Sequence, residues 1–133
     1  MKIIFDTNVI LAAFLTEGLC YKVLNRCIGN FEIIISNWII REVTEKLKIK
    51  FNVPSSQIQS VTRFIKNYFI HIEPSGEIPD ICRDKDDNNV IHLAVFSKAD
   101  IIITGDKDLL DIGVYKKCKI ISPRQFWELL VAN

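Results

Sequence analysis

Five short runs of mostly β-branched residues constrain the fold of this chain more than any other feature. They are KIIF (2–5), EIII (32–35), FIHIE (69–73), DIIIT (100–104) and CKII (118–121). Most are apolar on both faces, which is typical of parallel strands that helices cover on both sides. Because segments with helical spacing separate the runs, we expect an α/β fold, a three-layer α/β/α sandwich with a central parallel sheet of about five strands.

The segments between these runs have helical patterns. Apolar side chains recur at helical spacing from Ile58 to Tyr68, after Pro54, which is favourable in a first helical turn. Residues 37–51 form a second predicted helix, and Pro123 begins the last one. The segment 73–80, EPSGEIPD, is interpreted as a loop. At 133 residues the chain can bury a substantial core, so we expect a single domain over residues 1–133.

The composition is that of a globular protein, with 49% hydrophobic and 25% charged residues. No apolar run approaches the length of about 18 residues that a membrane helix needs. Asp6 interrupts any signal-peptide core, so we expect a cytoplasmic protein without a membrane partner. The four cysteines show no C-x-x-C pair and only two histidines accompany them, a pattern that indicates reduced thiols rather than a zinc site.

The aspartates are concentrated in one part of the chain. Eight of the nine lie between positions 80 and 111, where the formal charge is −4, whereas the rest of the chain carries +5. An acidic centre within basic surroundings suits a metal site that also receives polyanions. Charge blocks are also common on solvated faces, so the pattern alone leaves both interpretations open.

Two aspartates follow predicted strands directly. Asp6 comes after the first strand, and Asp106 follows the fourth across one glycine. Ligands bind in open parallel sheets beyond the carboxyl ends of the strands, where the strand order reverses. If these two strands are neighbours, about 4.8 Å apart, the carboxylates converge. The alternative is that each aspartate only caps the helix that follows it.

Two further acids are predicted to point inward from helices. Glu42 projects between Ile39 and Ile49, within the apolar arc of its helix, and apolar residues follow Asp87 at three, four and seven positions. Clustered carboxylates repel one another unless a cation neutralises them, and Mg²⁺ or Mn²⁺ prefers oxygen ligands. The predicted metal ligands are therefore Asp6, Glu42, Asp87 and Asp106. We expect Asp84 to support the site from a loop and Asp86 to face solvent.

Four motifs in this order resemble those of the PIN domain family: FDTNVI, IIREV, RDKDDNNVIHLA and TGDKDLL. The likeness continues to ISPRQFWELL and is to small stand-alone prokaryotic members, the toxin components of toxin–antitoxin pairs. It implies an Mg²⁺- or Mn²⁺-dependent endoribonuclease that hydrolyses phosphodiester bonds of RNA. The implied catalytic residues are Asp6, Glu42, Asp87 and Asp106, and the implied auxiliary residues are Asn8, Asp84, Thr104 and Asp108.

The resemblance also implies an RNA substrate and an antitoxin protein as partners. We expect a homodimer as well, because a mean hydropathy of +0.19 is high for a small monomer that must cover its own surface. By analogy with similar family members, its interface is expected on the helices of residues 37–68. Four basic residues are candidates for contacts with RNA phosphates, or else a solvated face: Arg41, Lys46, Lys48 and Lys50.

Two other functions remain open at this point. GDKDLLD (105–111) resembles the late Gly-Asp motif of haloacid-dehalogenase-like phosphohydrolases, but that family needs a second aspartate at the position of Asn8. A regulatory module that binds Mg²⁺ without turnover is the non-enzymatic alternative. It predicts no role for an inward Glu42.

Overall fold

The computed structural model describes residues 1–132, within which six strands and seven helices form. The strands are β1 (Lys2–Phe5), β2 (Glu32–Ile35), β3 (Ile70–His71), β4 (Ile101–Ile103), β5 (Val114–Tyr115) and β6 (Cys118–Ile121). The helices are α1 (Thr7–Leu15), α2 (Leu19–Cys27), α3 (Asn37–Ile49), α4 (Ser55–Tyr68), α5 (Lys85–Ser97), α6 (Lys107–Ile112) and α7 (Pro123–Val131). The bounds of β1, β2 and β6 are those predicted.

The strands form one sheet in the order β3-β2-β1-β4-β6-β5. All neighbouring pairs are parallel except the antiparallel pair of β5 and β6. The chain adds β2 and β3 on one side of β1 and β4 on the other, so the strand order reverses between β1 and β4. This mainly parallel sheet with flanking helices confirms the predicted α/β class.

The three central strands are buried because their isoleucines have helices on both faces. Ile3, Ile4 and Ile102 are fully buried, and each such side chain contributes about 1.5–3 kcal/mol relative to exposure. α1 packs against α2 and α3, α3 packs against α4, and α2 packs against α7. The core therefore fixes the carboxyl ends of β1 and β4, where the predicted site lies.

Four elements differ from the prediction. β4 spans only Ile101–Ile103 of the predicted run 100–104. The run FIHIE pairs only at Ile70 and His71, both exposed, because β3 is an edge strand with a single neighbour. β5 was not predicted at all. α3 ends at Ile49 rather than at position 51, because Asn52 adopts a left-handed conformation (φ 52°) that turns the chain before Pro54.

No single helix in the described residues is long and apolar enough to cross a membrane. α1 and α2 satisfy the length and composition criteria only as a pair, with a bend of 102° between them.

Candidate active site

Six carboxylates line one pocket of about 100 Å³ beyond the carboxyl ends of β1 and β4. Asp6 follows β1, Asp106 follows β4, Glu42 projects from α3, and Asp87 lies in the first turn of α5. The structure thus brings the four predicted ligands together from four different parts of the chain. The other lining residues are Thr7, Asn8, Trp38, Lys46, Asp84, Asp86 and Val90.

Three of these aspartates also cap the helices that follow them. Asp6 Oδ1 accepts a hydrogen bond from the Thr7 amide (2.8 Å), Asp84 Oδ1 from that of Asp86 (2.9 Å), and Asp106 Oδ2 from that of Leu109 (2.9 Å). Asp6 and Asp106 therefore both cap the following helices, and both also line the pocket. Since helix amino ends carry partial positive charge, α1, α5 and α6 partly offset the repulsion among the acids.

Thr104 connects two of the acids although it does not itself line the pocket. Its fully buried hydroxyl donates to Asp6 Oδ2 (2.7 Å) and accepts from the Asp106 amide (3.0 Å). The position of the Asp6 carboxylate relative to the start of α6 is thus fixed by one side chain. This is the contact through which the predicted auxiliary role of Thr104 would operate.

Asp87 has a buried carboxylate oxygen, Oδ2, without a hydrogen-bond partner. Burial, reinforced by the negative charges of Asp106, Asp6 and Asp84, raises the pKa of Asp87 to about 7. Burial also raises the pKa of Asp6, although hydrogen bonds from Thr104 and Thr7 oppose that shift. A buried carboxylate oxygen without a partner is costly, so Asp87 is a strong candidate for contact with a cation.

Glu42 lies at the edge of the same pocket with 24% of its side chain exposed. Partial burial raises the pKa of Glu42, as do the charges of Asp86, Glu45 and Asp6, whereas Lys46 lowers it. The Lys46 ammonium is 3.9 Å from Glu42 Oε1, one helical turn away. Lys46 is the one basic side chain among the described residues that line the pocket, so one positive charge faces six carboxyl groups.

The donor set of this pocket fits a hard divalent cation, because carboxylate oxygens are the ligands that Mg²⁺ and Mn²⁺ prefer. In their described positions, however, no three Asp, Glu, His or Cys side chains of residues 1–132 are placed to hold one ion together. Coordination would therefore require rotation of some of these side chains toward one another.

The structure places several predicted site residues outside the pocket. Asp108 Oδ1 accepts a hydrogen bond from the exposed guanidinium of Arg83 (2.8 Å). Arg41 lines a neighbouring pocket, Lys48 a groove between α3 and α4, and Lys50 Nζ lies 5.5 Å from the ring centre of Phe51. Since a helix distributes successive side chains around its axis, only Lys46 of the four basic candidates reaches the acids.

Sequence reasoning missed three residues of this region. Trp38 is half-buried and lines the pocket one turn before Glu42. The spacing of four residues on one helix is a signal that could have identified it. Thr7 lines the pocket with a buried hydroxyl that has no hydrogen-bond partner. Asp86, expected to face solvent, is exposed but also lies at the pocket.

A family model described as the PIN domain matches residues 2–108. The uncharacterized protein MJ1680 of Methanocaldococcus jannaschii is 31% identical over an alignment of 145 residues, which covers 96% of this chain and 90% of that protein. The crystal structure of VapBC2 from Rickettsia felis, bound to a DNA fragment from their promoter, has a similar fold: the TM-score is 0.69 at 16% identity, over 92% of this chain and 98% of that one.

These matches give no support to the haloacid-dehalogenase-like alternative, since the acids of the pocket fall in the matched region. PIN domains are generally nucleases that use divalent metals. The chain belongs to the PIN domain family.

Proposed function

We propose that this PIN domain is an Mg²⁺- or Mn²⁺-dependent endoribonuclease that hydrolyses phosphodiester bonds of RNA. One observation carries the proposal: Asp6, Glu42, Asp87 and Asp106 come from four elements and line one small pocket where the strand order reverses. A pocket with this excess of negative charge repels a phosphate unless a cation is present. A metal-dependent reaction on a polyanion accounts for both features.

When bound, a divalent cation would neutralise the carboxylates, attract a phosphate oxygen and lower the pKa of a water molecule. Asp6, Glu42, Asp87 and Asp106 would hold it, while Thr104 keeps Asp6 and the Asp106 amide in place. Among the described lining residues there is no Ser, Cys or His, and the Thr7 hydroxyl is buried without a hydrogen-bond partner that could activate it. Water is therefore the proposed nucleophile, and the expected products carry 5′-phosphate and 3′-hydroxyl ends.

The test is cleavage of labelled single-stranded RNA with Mg²⁺, with Mn²⁺ and with EDTA, beside DNA of the same sequence. We expect cleavage of RNA only with a cation, and loss of cleavage in Asp6→Asn. Activity that survives chelation, or products with 2′,3′-cyclic phosphate ends, would reject the metal–water mechanism. Binding of Mg²⁺ without cleavage of either nucleic acid would favour the regulatory alternative instead.

We further propose that the protein is a cytoplasmic toxin with a protein antitoxin as partner, and that residues 1–133 act as one domain. The similar fold of VapBC2, which was crystallised on its promoter DNA, supports this proposal. Expression of the chain should stop growth, whereas Asp6→Asn should not. Co-expression of a small protein encoded next to the gene should restore growth. Unchanged growth under strong expression of the intact chain would contradict the toxin assignment.

A further inference from the structure

A second pocket of about 300 Å³ lies beside the acid pocket. Its walls include Trp38, Arg41, Glu73, Ile78, Asn89 and His92. Trp38 lines both pockets, so its side chain forms a common wall between them. A volume of this size is at the lower end of the range of small-ligand sites.

Helices α3 and α5 each contribute to both pockets. On α3, Arg41 lines the second pocket and Glu42 lines the acid pocket, three and four residues after Trp38. On α5, Asn89 lines the second pocket, whereas Asp86 and Val90 line the acid pocket. Positions three and four residues apart are neighbours on a helix surface, so the two pockets adjoin each other along α3 and α5.

The second pocket differs from the first in charge, and two of its polar side chains already have hydrogen-bond partners. Its carboxylate, Glu73, already accepts a hydrogen bond from the Asn37 amide (2.6 Å) and lies 2.7 Å from His71 Nε2. His92 Nε2 lies within hydrogen-bond distance of the Ser75 carbonyl (3.0 Å), which fixes the loop that forms the far wall. Arg41 is exposed and also lines this pocket, to which its guanidinium adds positive charge.

We propose that the second pocket holds a base of the RNA strand next to the scissile phosphate, stacked on Trp38, with Arg41 near the adjoining backbone. This inference rests on the proposed nuclease function and adds a position for the substrate strand. Proteins recognise single-stranded RNA mainly by stacking unpaired bases on aromatic rings and by placing cations along the backbone. A site that combines a half-buried indole, an arginine and an amide beside a phosphate-processing pocket has the required chemistry.

The first experiment measures binding by the fluorescence of Trp38. The variant Trp127→Phe leaves Trp38 as the only tryptophan, and Asp6→Asn in the same protein prevents cleavage in the presence of Mg²⁺. A short single-stranded oligoribonucleotide should quench this fluorescence saturably. Removing the base at one particular position of the strand should weaken binding about tenfold, the scale of a single base–aromatic stack.

The second experiment compares Trp38→Phe with Trp38→Leu, which keeps an apolar side chain but removes the ring. Binding is here measured by the fluorescence anisotropy of a dye-labelled oligoribonucleotide, because both variants lack the Trp38 signal. We expect Trp38→Phe to bind within about threefold of the Asp6→Asn parent and Trp38→Leu about tenfold more weakly. Trp38→Leu should also no longer distinguish the intact strand from the strand that lacks the base. In the protein that retains Asp6, and so can cleave RNA, Trp38→Leu should raise KM with little change in kcat. A purely structural role does not produce this pattern. Thermal melting of both variants verifies that they fold.

Equal affinity of Trp38→Leu and the parent, or equal affinity for the intact strand and every strand that lacks one base, would overturn the inference. Quenching by a peptide but not by the oligonucleotide would assign the pocket to a protein partner and would also overturn it. Absence of RNA cleavage by the wild-type protein rejects the proposed nuclease function. The oligonucleotide-binding measurements then test separately whether the second pocket holds a base. Cleavage by Trp38→Leu with unchanged KM rejects only the base pocket.

Discussion

The Glu42 carboxylate is one of six acidic groups in a pocket with one ammonium, so removal of its charge has opposite effects on activity and stability. Glu42→Gln keeps the shape of the side chain and should lower the cleavage rate by about 10²-fold or more, the scale of a lost catalytic electrostatic contact. Without metal the variant should be slightly more stable, because less repulsion remains and the 3.9 Å contact with Lys46 contributes at most about 0.5 kcal/mol. Mg²⁺ should then stabilise wild type more than the variant.

Glu45→Gln is the matched control, since Glu45 is exposed on the same helix and faces the groove between α3 and α4. It should change neither the rate nor the response of the melting temperature to Mg²⁺. If Glu42→Gln behaves like this control in both assays, Glu42 does not belong to the site.

Asp87 should make the stability of the metal-free protein depend on pH. Its pKa in the folded protein is about 7, whereas an unfolded Asp has a pKa near 3.9, so the folded state disfavours the ionised form. Stability from this group is therefore complete below about pH 4 and is lost as the pH rises to about 7. Asp87→Asn removes the charge, so its advantage over wild type should be small at pH 4 and reach about 1–3 kcal/mol at pH 8.

Urea denaturation with EDTA at pH 4, 6 and 8 measures this difference. The exposed Asp111 provides a control, and Asp111→Asn should follow wild type at all three values. A stability difference between Asp87→Asn and wild type that does not change with pH would contradict the raised pKa.

At the scale of elements, α5 holds the long loop between β3 and its own first turn. The buried side chain of Asn88 accepts hydrogen bonds from the amides of Ile81 (3.2 Å) and Cys82 (2.9 Å). Asn88→Ala should therefore destabilise the protein by about 1–3 kcal/mol and speed hydrogen exchange at these two amides. Asn67→Ala, at an exposed position of α4, is the control. Unchanged exchange at Ile81 and Cys82 in Asn88→Ala would mean that other contacts hold the loop.

The strands show how far local sequence determines the fold. β1 and β2 were predicted with correct bounds because nearly every residue in them is apolar and β-branched or aromatic. Propensity does not reveal how many neighbours a strand has, so the edge strand β3 was predicted too long. β5 was missed because it pairs with β6 through a two-residue turn, Lys116–Lys117, with both residues at positive φ. Asn-Gly or Asp-Gly is the usual signal for such a turn, and two lysines do not give it.

The residues of the site were predictable where a local rule fixes the direction in which a side chain points. Asp6 and Asp106 follow strands, and the apolar residues three, four and seven positions after Asp87 indicate that its side chain points inward. The placement of Asp108 against Arg83 depends on how α6 meets the loop before α5. No pattern within one segment encodes that relation.

At the scale of the whole molecule, several apolar side chains of the α3–α4 region remain exposed. Ile49 is 80% exposed, Phe51 42% and Tyr68 54%. Tyr68 continues an aromatic cluster in which its ring contacts Phe64 and the ring of Phe64 contacts Phe14. A stable dimer buries about 800 Å² on each subunit, roughly a tenth of the 7781 Å² that this chain exposes. The exposed apolar residues of this region make it the proposed interface.

The predicted homodimer can be tested by light scattering across a range of concentrations. Wild type should have about twice the 15.3 kDa mass of the chain, and its melting temperature should rise with concentration because association stabilises the folded state. Ile49→Lys places a charge within the proposed interface and should shift the mass toward the monomer, while its secondary structure is retained. Val131→Lys is the control, since Val131 is 56% exposed at the end of α7 and should leave the mass unchanged. A monomeric wild type at high concentration would reject the dimer, and a dimer that Val131→Lys disrupts while Ile49→Lys does not would move the interface to α7.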